Sequence, residues 1–304
     1  MPRLIDAGDG SAIGVDALVE ALDASDFDVC CEESFASLGP LLARLGRNRH
    51  FLADLALEEL KERCRHQGAT NGYGAQVFLL RPANGRYVLR ANFWPALADA
   101  AVRASGAAAF LYEMPHDHNF SFLTYGYLGP GYWSDYYEYN VDKVAGVPGE
   151  FAGLRFVERS RLDLGKLMLY RARRDVHAQL PPDRFSVSLN ILAYDPAQPW
   201  MDQFRFNLAT GAIAGGLTTT PSQALLAIAT GFGCGNALDL ATNFAAHHPS
   251  PRMRITALDA VAGQSAHAQE RHAVFAAAIN DADAYVSGHA RLRCAMIEQA
   301  VNTP

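Results

Sequence analysis

The feature that most restricts the fold of this chain is a series of short strand-like segments in its middle part. Between residues 73 and 218, runs of β-branched and aromatic residues alternate with turns that contain glycine, proline and asparagine. Residues 75–80 and 87–93 flank Asn84-Gly85, a strong hairpin signal, and 185–194 is the clearest strand. About seven to ten short antiparallel strands at this spacing predict a sandwich or a small barrel.

Helical periodicity replaces this pattern on both sides of the strands. Residues 15–22 and 51–60 carry apolar side chains at three- and four-residue intervals, and the same spacing returns after residue 220. The stretch 249–260 resembles the second half of a HEAT-type repeat, although a plain helical bundle, which we favour, would show the same pattern. The predicted organisation is an N-terminal helical segment at 1–72, a β domain at 73–218 and a C-terminal helical domain at 219–304.

Two histidines separated by one residue, His116 and His118, are the strongest candidates for chemistry. On a predicted strand their side chains point to the same face, about 6.6–7 Å apart along the chain, while Asp117 points the other way. His177, on a second predicted strand, would complete a face of three nitrogens. Such a set suits Fe(II), Zn(II), Cu(II) or Ni(II), and the sequence does not choose among them. The alternative is that the pair is an ordinary surface or core feature.

Composition and charge argue against several classes of protein. A net charge of -6 without a run of lysine and arginine argues against a nucleic-acid partner, and no apolar run is long enough to span a membrane. Residues 1–6 do not resemble a signal peptide. The cysteines fit neither a disulfide framework nor a zinc site, so we expect reduced thiols in a cytoplasmic protein; they are Cys30, Cys31, Cys64, Cys234 and Cys294.

Residues 87–194 resemble the cupin superfamily, and within it the thiol dioxygenases typified by cysteine dioxygenase. His116-Asp117-His118 and Gly126 match the first cupin motif, whereas its glutamate is replaced by Phe122 or Leu123. Thiol dioxygenases also lack this carboxylate and hold iron with three histidines. The resemblance therefore implies a mainly β fold with α flanks, a cupin-like double-stranded β-helix (jelly-roll) barrel, with Fe(II) held by His116, His118 and His177.

The resemblance also implies a substrate anchor. In the family, an arginine in a Tyr-x-Arg strand binds the substrate carboxylate, and Tyr87-Val88-Leu89-Arg90, one residue longer, occupies the corresponding region. The family's Ser-His-Tyr relay is kept only as Ser188, since Asn190 and Leu192 replace the other two residues. Arg90 is thus implied as a carboxylate anchor, while cysteine itself is not implied as the substrate.

Glu138 and Tyr125 are further candidates for catalysis. By its register in a predicted hairpin, Glu138 falls opposite Ser121 or Phe122 and could act as a base or a fourth metal ligand. The alternative is a solvated charge at a sheet edge. Tyr125 belongs to the same tyrosine-rich hairpin, whose side chains could line a pocket and donate to bound oxygen, or could simply pack in the core.

The expected function is that of a mononuclear non-haem Fe(II) oxygenase that uses O2 and acts on a small carboxylate-bearing metabolite. A non-oxidative metal enzyme of the same fold, an isomerase or lyase, is the first alternative. The second is a ligand-sensing module whose C-terminal helices bind a partner. Cupins often dimerise, so a homodimer is a candidate assembly. Arg184 with Ser186 mimics the Arg-x-Ser of 2-oxoglutarate oxygenases, but those enzymes need H-x-D/E, which disfavours this cosubstrate.

Overall fold

Two antiparallel sheets carry the first part of the chain. The computed structural model describes residues 2–233 and 235–302. These residues form a first unit of 2–141 with 153–198 and a second unit of 142–152 with 199–233 and 235–302. Within the first unit, one sheet has six strands in the order β1-β7-β4-β9-β3-β2, and the other has three in the order β6-β5-β8. The strands are β1 (Arg3–Leu4), β2 (Val77–Arg81), β3 (Tyr87–Trp94), β4 (Phe122–Leu128), β5 (Trp133–Glu138), β6 (Arg155–Arg161), β7 (Leu167–Tyr170), β8 (Asp175–Gln179) and β9 (Ser186–Ala193).

The predicted combination of antiparallel strands and helical flanks is confirmed. The predicted jelly-roll barrel is not confirmed, because over the described residues the strands form no closed barrel and the large sheet runs from an edge at β1 to an edge at β2. The helices of the first unit are α1 (Val15–Ala24), α2 (Glu32–Ala36), α3 (Gly39–Gly46), α4 (Phe51–Lys61), α5 (Arg65–Thr70) and α6 (Ala100–Ser105).

The large sheet is covered on both faces. Alternate residues of its strands, such as Leu89, Leu123 and Ile191, pack against the N-terminal helices through Leu18 and Leu42. The residues between them face the small sheet, and the resulting core is made by Val88, Phe122, Met168, Tyr170 and Leu192 from the large sheet together with Tyr136 from the small one. We call this second side the inner face, because the two sheets pack there against each other.

The turn at residues 129–131 carries the chain from one sheet to the other. The sequence predicts a β4–β5 hairpin here, and this prediction is wrong, since β5 pairs with β6 and β8 instead. Gly129 and Gly131 both have φ of +79°, and a Cβ on either would collide with backbone of Phe185 or Leu162. Glycine is therefore required twice where the chain changes sheet.

Leu123 tests the packing between the N-terminal helices and the large sheet. Its side chain is fully buried against them, whereas Leu128 on the same strand is 52% exposed. Leu123→Ala is expected to lower the free energy of unfolding by about 2–5 kcal/mol through the cavity it leaves. Leu128→Ala is the matched control, with an expected change within about 0.5 kcal/mol. Urea denaturation measures both, and equal effects would contradict this packing.

The second unit combines a hairpin with a helical bundle. Its hairpin, β10 (Phe204–Asn207) with β11 (Ala212–Gly216), lies with the C-terminal helices rather than with the other strands. Ile255, Phe275 and Val286 form part of the helical core. The helices are α7 (Pro221–Gly231), α8 (Gly235–His247), α9 (Pro251–Ala262), α10 (Ala268–Ala276) and α11 (Ala284–Asn302).

The structure also bears on two predictions, one about membrane-spanning helices and one about the cysteines. Across the described residues, no helix combines the length and the apolar character needed to cross a membrane. Cys30, Cys31, Cys64 and Cys294 are free thiols, as predicted, and Cys234 lies outside the described residues.

Candidate metal centre

The His116–His118 segment reaches its position by an irregular path. A 3-10 helix ends at Phe110, shortly before the histidines, and Leu111 and Glu113 have positive φ of 58° and 59°. His116 then forms an isolated antiparallel bridge to His177, with backbone N–O distances of 3.0 Å in both directions. The two histidines thus share a side as predicted, although one bridge to β8, rather than a strand, holds them.

The three predicted metal-ligating histidines come together between the two sheets. His118 Nε2 lies 3.0 Å from His177 Nε2, and His177 Nε2 lies 3.3 Å from His116 Nε2. The His177 ring contacts Tyr170 of the large sheet, and the His118 ring contacts Phe122. One ligand nitrogen from each histidine lies within 4.8 Å of the other two.

Hydrogen bonding alone does not account for this convergence. An imidazole nitrogen makes one hydrogen bond, as donor or as acceptor, yet His177 Nε2 has three nitrogens within 3.3 Å. A shared cation satisfies the histidines together, because ligand nitrogens about 2.1 Å from a metal are separated by roughly 3.0–3.4 Å in octahedral or tetrahedral geometry. The residues therefore fit a metal ion bound by three nitrogens.

The environment keeps the three imidazoles neutral, as metal ligation requires. Burial lowers the pKa of His116, opposed by its hydrogen bond with the Met114 carbonyl oxygen. That bond uses Nδ1, at 2.8 Å, and leaves the Nε2 lone pair for a metal. Burial also holds the pKa values of His118 and His177 well below the usual range, with repulsion from His116 as a further cause for both.

Gln179 is a member of the centre that the sequence analysis misses. It follows His177 by two residues on β8, so both side chains lie on the same face of the small sheet, the face that packs against the large sheet. Its amide nitrogen lies 3.2 Å from His177 Nε2, and its Oε1 has no hydrogen-bond partner within the described part of the chain. The alternation His-x-Gln on a strand is the signal that could have found it.

Gln179→Leu is expected to weaken metal binding by about 10–100-fold, because the Gln179 amide lies at the metal-facing nitrogen of His177 and its unpartnered carbonyl oxygen can interact with the bound ion or its water. Titration of the metal-free protein with Zn(II) or Co(II) measures the dissociation constant. Gln76→Leu, in the same unit but hydrogen-bonded to Phe110 instead, is the control and should bind metal as the wild type does. An unchanged dissociation constant for Gln179→Leu would remove Gln179 from the centre.

Arg90 lies on the inner face of β3 as a cation without a counter-ion. Its Nε is buried and has no hydrogen-bond partner, and no carboxylate of residues 2–233 or 235–302 pairs with it. Its guanidinium instead stacks on the Tyr73 ring, 4.8 Å from the centroid. Burial lowers the pKa of Arg90, although interactions with Tyr73 and Tyr132 oppose this. Its charge also helps to lower the pKa of His118, so the two groups lie within electrostatic reach.

The structure does not bring Tyr125 to the histidines. Tyr125 lies on the opposite face of β4 and packs with the N-terminal helices, where a side chain at Gly46 would collide with its ring. Tyr125 is therefore packed in the core, which is the alternative given for it in the sequence analysis.

Glu138 is engaged elsewhere. It lies opposite Asp175 of β8 and Arg155 of β6, so the predicted register with Ser121 or Phe122 is wrong. It forms ion pairs with Arg155 and Arg171 at 2.7 and 2.8 Å. Burial would raise the pKa of Glu138, but hydrogen bonds and attraction from cations, Arg171 among them, outweigh it and lower the pKa to about 2. A carboxylate held ionised in this way is a poor proton acceptor near neutral pH.

Two buried tyrosines border the histidines. The Tyr170 ring lies 4.9 Å from the His177 ring, and the Tyr170 and Tyr136 hydroxyls are 2.9 Å apart. Tyr136 pairs with His177 across β5 and β8. Burial is the main cause that raises the pKa of Tyr136 to about 12 and that of Tyr170 well above its usual value. Both hydroxyls therefore stay protonated and can donate hydrogen bonds.

Comparisons with known proteins give only distant similarities. No family model and no curated protein matches the chain. Among solved structures, hydroquinone 1,2-dioxygenase PnpCD is 12% identical over 43% of this chain and 71% of its own, with a TM-score of 0.26. The DMSP lyase DddQ from Ruegeria pomeroyi is 10% identical over 64% and 79%, with a TM-score of 0.25. TM-scores this low do not establish a common fold, so the function of the chain has to be inferred from its own geometry.

Proposed function

We propose that the first unit is a mononuclear non-haem Fe(II) oxygenase of the cupin type that acts on a small carboxylate-bearing compound. The observation that carries the proposal is the convergence on one point of three neutral imidazoles, two of them buried and that of His118 partly buried. Nitrogen donors of this kind suit iron, zinc, copper and nickel. Three protein ligands also leave coordination positions open, which is a property of catalytic rather than structural sites.

The chain's own residues supply binding, orientation and proton control. His116, His118 and His177 would hold the ion, and bound iron would supply redox chemistry with O2. Arg90 would fix the substrate by its carboxylate, since a guanidinium binds a carboxylate through two parallel hydrogen bonds. The protonated Tyr170 hydroxyl, backed by Tyr136, would donate a hydrogen bond to an oxygen of the substrate.

Purification without oxygen, followed by metal analysis and O2-uptake measurements, tests this proposal. We expect about one iron per chain and O2 consumption that depends on an added carboxylate. Metal-dependent turnover of a carboxylate without O2 uptake would overturn the oxygenase assignment in favour of a lyase or isomerase. A protein that binds no transition metal would overturn the metal centre itself.

A further inference from the structure

Polar side chains surround Arg90 on the inner face of the large sheet. Arg90 of β3 lies directly opposite Asn190 of β9, and Asn190 in turn lies opposite Thr124 of β4. Asn92 follows Arg90 on the same face of β3, one row further along. These four residues, Arg90, Asn92, Thr124 and Asn190, are here called the polar floor.

Four polar atoms of the polar floor, one from each residue, are buried and lack protein partners. Asn92, Thr124 and Asn190 are 9%, 0% and 3% exposed. The Asn92 and Asn190 Oδ1 atoms, Thr124 Oγ1 and Arg90 Nε make no hydrogen bond with any described residue. Buried polar atoms in folded proteins nearly always have a partner, so a cluster of unpartnered ones calls for an explanation.

A neighbouring pair shows that this face can satisfy its polar groups. Ser188 lies opposite Asn92, and its hydroxyl accepts a hydrogen bond of 3.0 Å from Trp94 Nε1. This pair shows that polar atoms on the inner face can form hydrogen bonds with other protein groups. The unpartnered atoms of the polar floor belong instead to the face that packs toward the small sheet, whose His177 ring contacts Tyr170 of the large sheet.

The chemistry of the polar floor selects a ligand. Arg90 offers donors to an anion, while the oxygens of Thr124, Asn92 and Asn190 accept hydrogen bonds from a donor. An ammonium group would be repelled by Arg90, and the floor holds no carboxylate to offset that repulsion. Hydroxyl groups meet both requirements, because they donate without carrying charge.

We propose that the polar floor is the substrate-binding subsite and that it selects hydroxylated carboxylates, with the carboxylate on Arg90 and hydroxyls on Thr124, Asn92 and Asn190. This inference rests on the proposed function for the role of Arg90 and adds the substrate class. A site built to hydrogen-bond a hydroxyl discriminates strongly against an analogue that lacks it, because the buried polar groups of the site are then left unpaired.

Isothermal titration calorimetry on the anaerobic, metal-loaded protein tests the selection with pairs of acids of equal carbon number. The pairs are glycerate with propanoate, threonate with butanoate, and gluconate with hexanoate. In at least one pair, the hydroxylated acid is expected to bind 10-fold or more tightly than its partner. Equal affinities in all pairs, or no binding of any acid, would overturn the inference.

Thr124→Val and Asn190→Leu identify the residues responsible, because both keep the side-chain shape and remove the polar atoms. Each is expected to reduce the preference for the hydroxylated acid by about 10-fold and to leave binding of the plain acid unchanged. A preference that survives both substitutions would overturn the inference. Thr124→Val is nearly isosteric, so it serves if Asn190→Leu does not fold.

Metal analysis of the same proteins as purified, before metal is added, separates this inference from the proposed function. If metal is bound but the substitutions leave selectivity intact, the polar floor is not the subsite while the metal centre stands. If hydroxylated acids bind through the floor but no transition metal is found, the proposed oxygenase function fails while the subsite stands.

Discussion

Replacement of His177 with alanine is expected to reduce the metal content from about one ion per chain to a level that cannot be detected, and to abolish turnover. His177 Nε2 is the central nitrogen of the group, 3.0 Å from His118 Nε2 and 3.3 Å from His116 Nε2. Its loss leaves two nitrogens, and two neutral imidazoles bind a divalent ion far more weakly than three. Metal analysis after purification without oxygen measures the effect, and His116→Ala should give the same result.

An exposed histidine in the same unit provides the control for this experiment. His66 lies on α5 with its side chain in solvent, so His66→Ala should keep the full metal content. Circular dichroism establishes whether the buried-site variants remain folded, because His116 and His177 are each only 2% exposed and their loss leaves a cavity. A folded His177→Ala protein that binds metal with wild-type affinity would contradict the three-histidine site.

Local patterns in the sequence predict much of the fold. The alternation in 185–194 and the Asn84-Gly85 turn lead to β9 and to the β2–β3 hairpin, both of which the structure contains. The five helices after residue 220 also follow from their apolar periodicity. These elements are predictable because the signal for each lies within its own residues.

The face that a strand presents is less predictable. Six consecutive residues of β4, from Phe122 to Tyr127, are buried, because helices cover one face of the large sheet and the small sheet covers the other. Both sets of alternate side chains on β4 are then buried and do not differ in polarity. The local sequence therefore does not indicate which of the two sets faces the histidines. The sequence therefore predicts Tyr125 as a site residue, whereas the structure places it on the helix-covered face.

Non-local pairing explains what the sequence does not reveal about the site. The His-x-His spacing predicts that the two histidines lie close together, and they do. They do not lie on the predicted strand, however, because a single antiparallel bridge between His116 and His177 holds the segment in place. Gln179 and Tyr170 belong to the site through their contacts with His177. The polar floor depends on the register of three strands that are distant in sequence.

Arg90→Met is expected to weaken binding of the carboxylate substrate by about 100–10,000-fold. Two charge-assisted hydrogen bonds are lost, each worth about 1.5–3 kcal/mol. The ligand-free protein should be as stable as the wild type or more stable, because Arg90 is a partly buried cation that no described carboxylate neutralises. Arg90→Lys should bind the carboxylate more weakly than the wild type and more tightly than Arg90→Met, since lysine keeps the charge but lacks the planar guanidinium that makes two parallel hydrogen bonds. Calorimetric titration gives the affinities, and thermal unfolding gives the stabilities.

Arg81→Met is the matched control, because Arg81 lies on the neighbouring strand of the same sheet but is paired with Asp23 at 2.8 Å. Its loss should leave carboxylate affinity unchanged and should affect stability only slightly, as expected for a partly exposed ion pair. The opposite pattern, with Arg90→Met destabilised and its carboxylate affinity intact, would show that Arg90 serves the fold. Together, the two substitutions distinguish an arginine that binds the substrate, Arg90, from an arginine that forms an ion pair within the protein, Arg81.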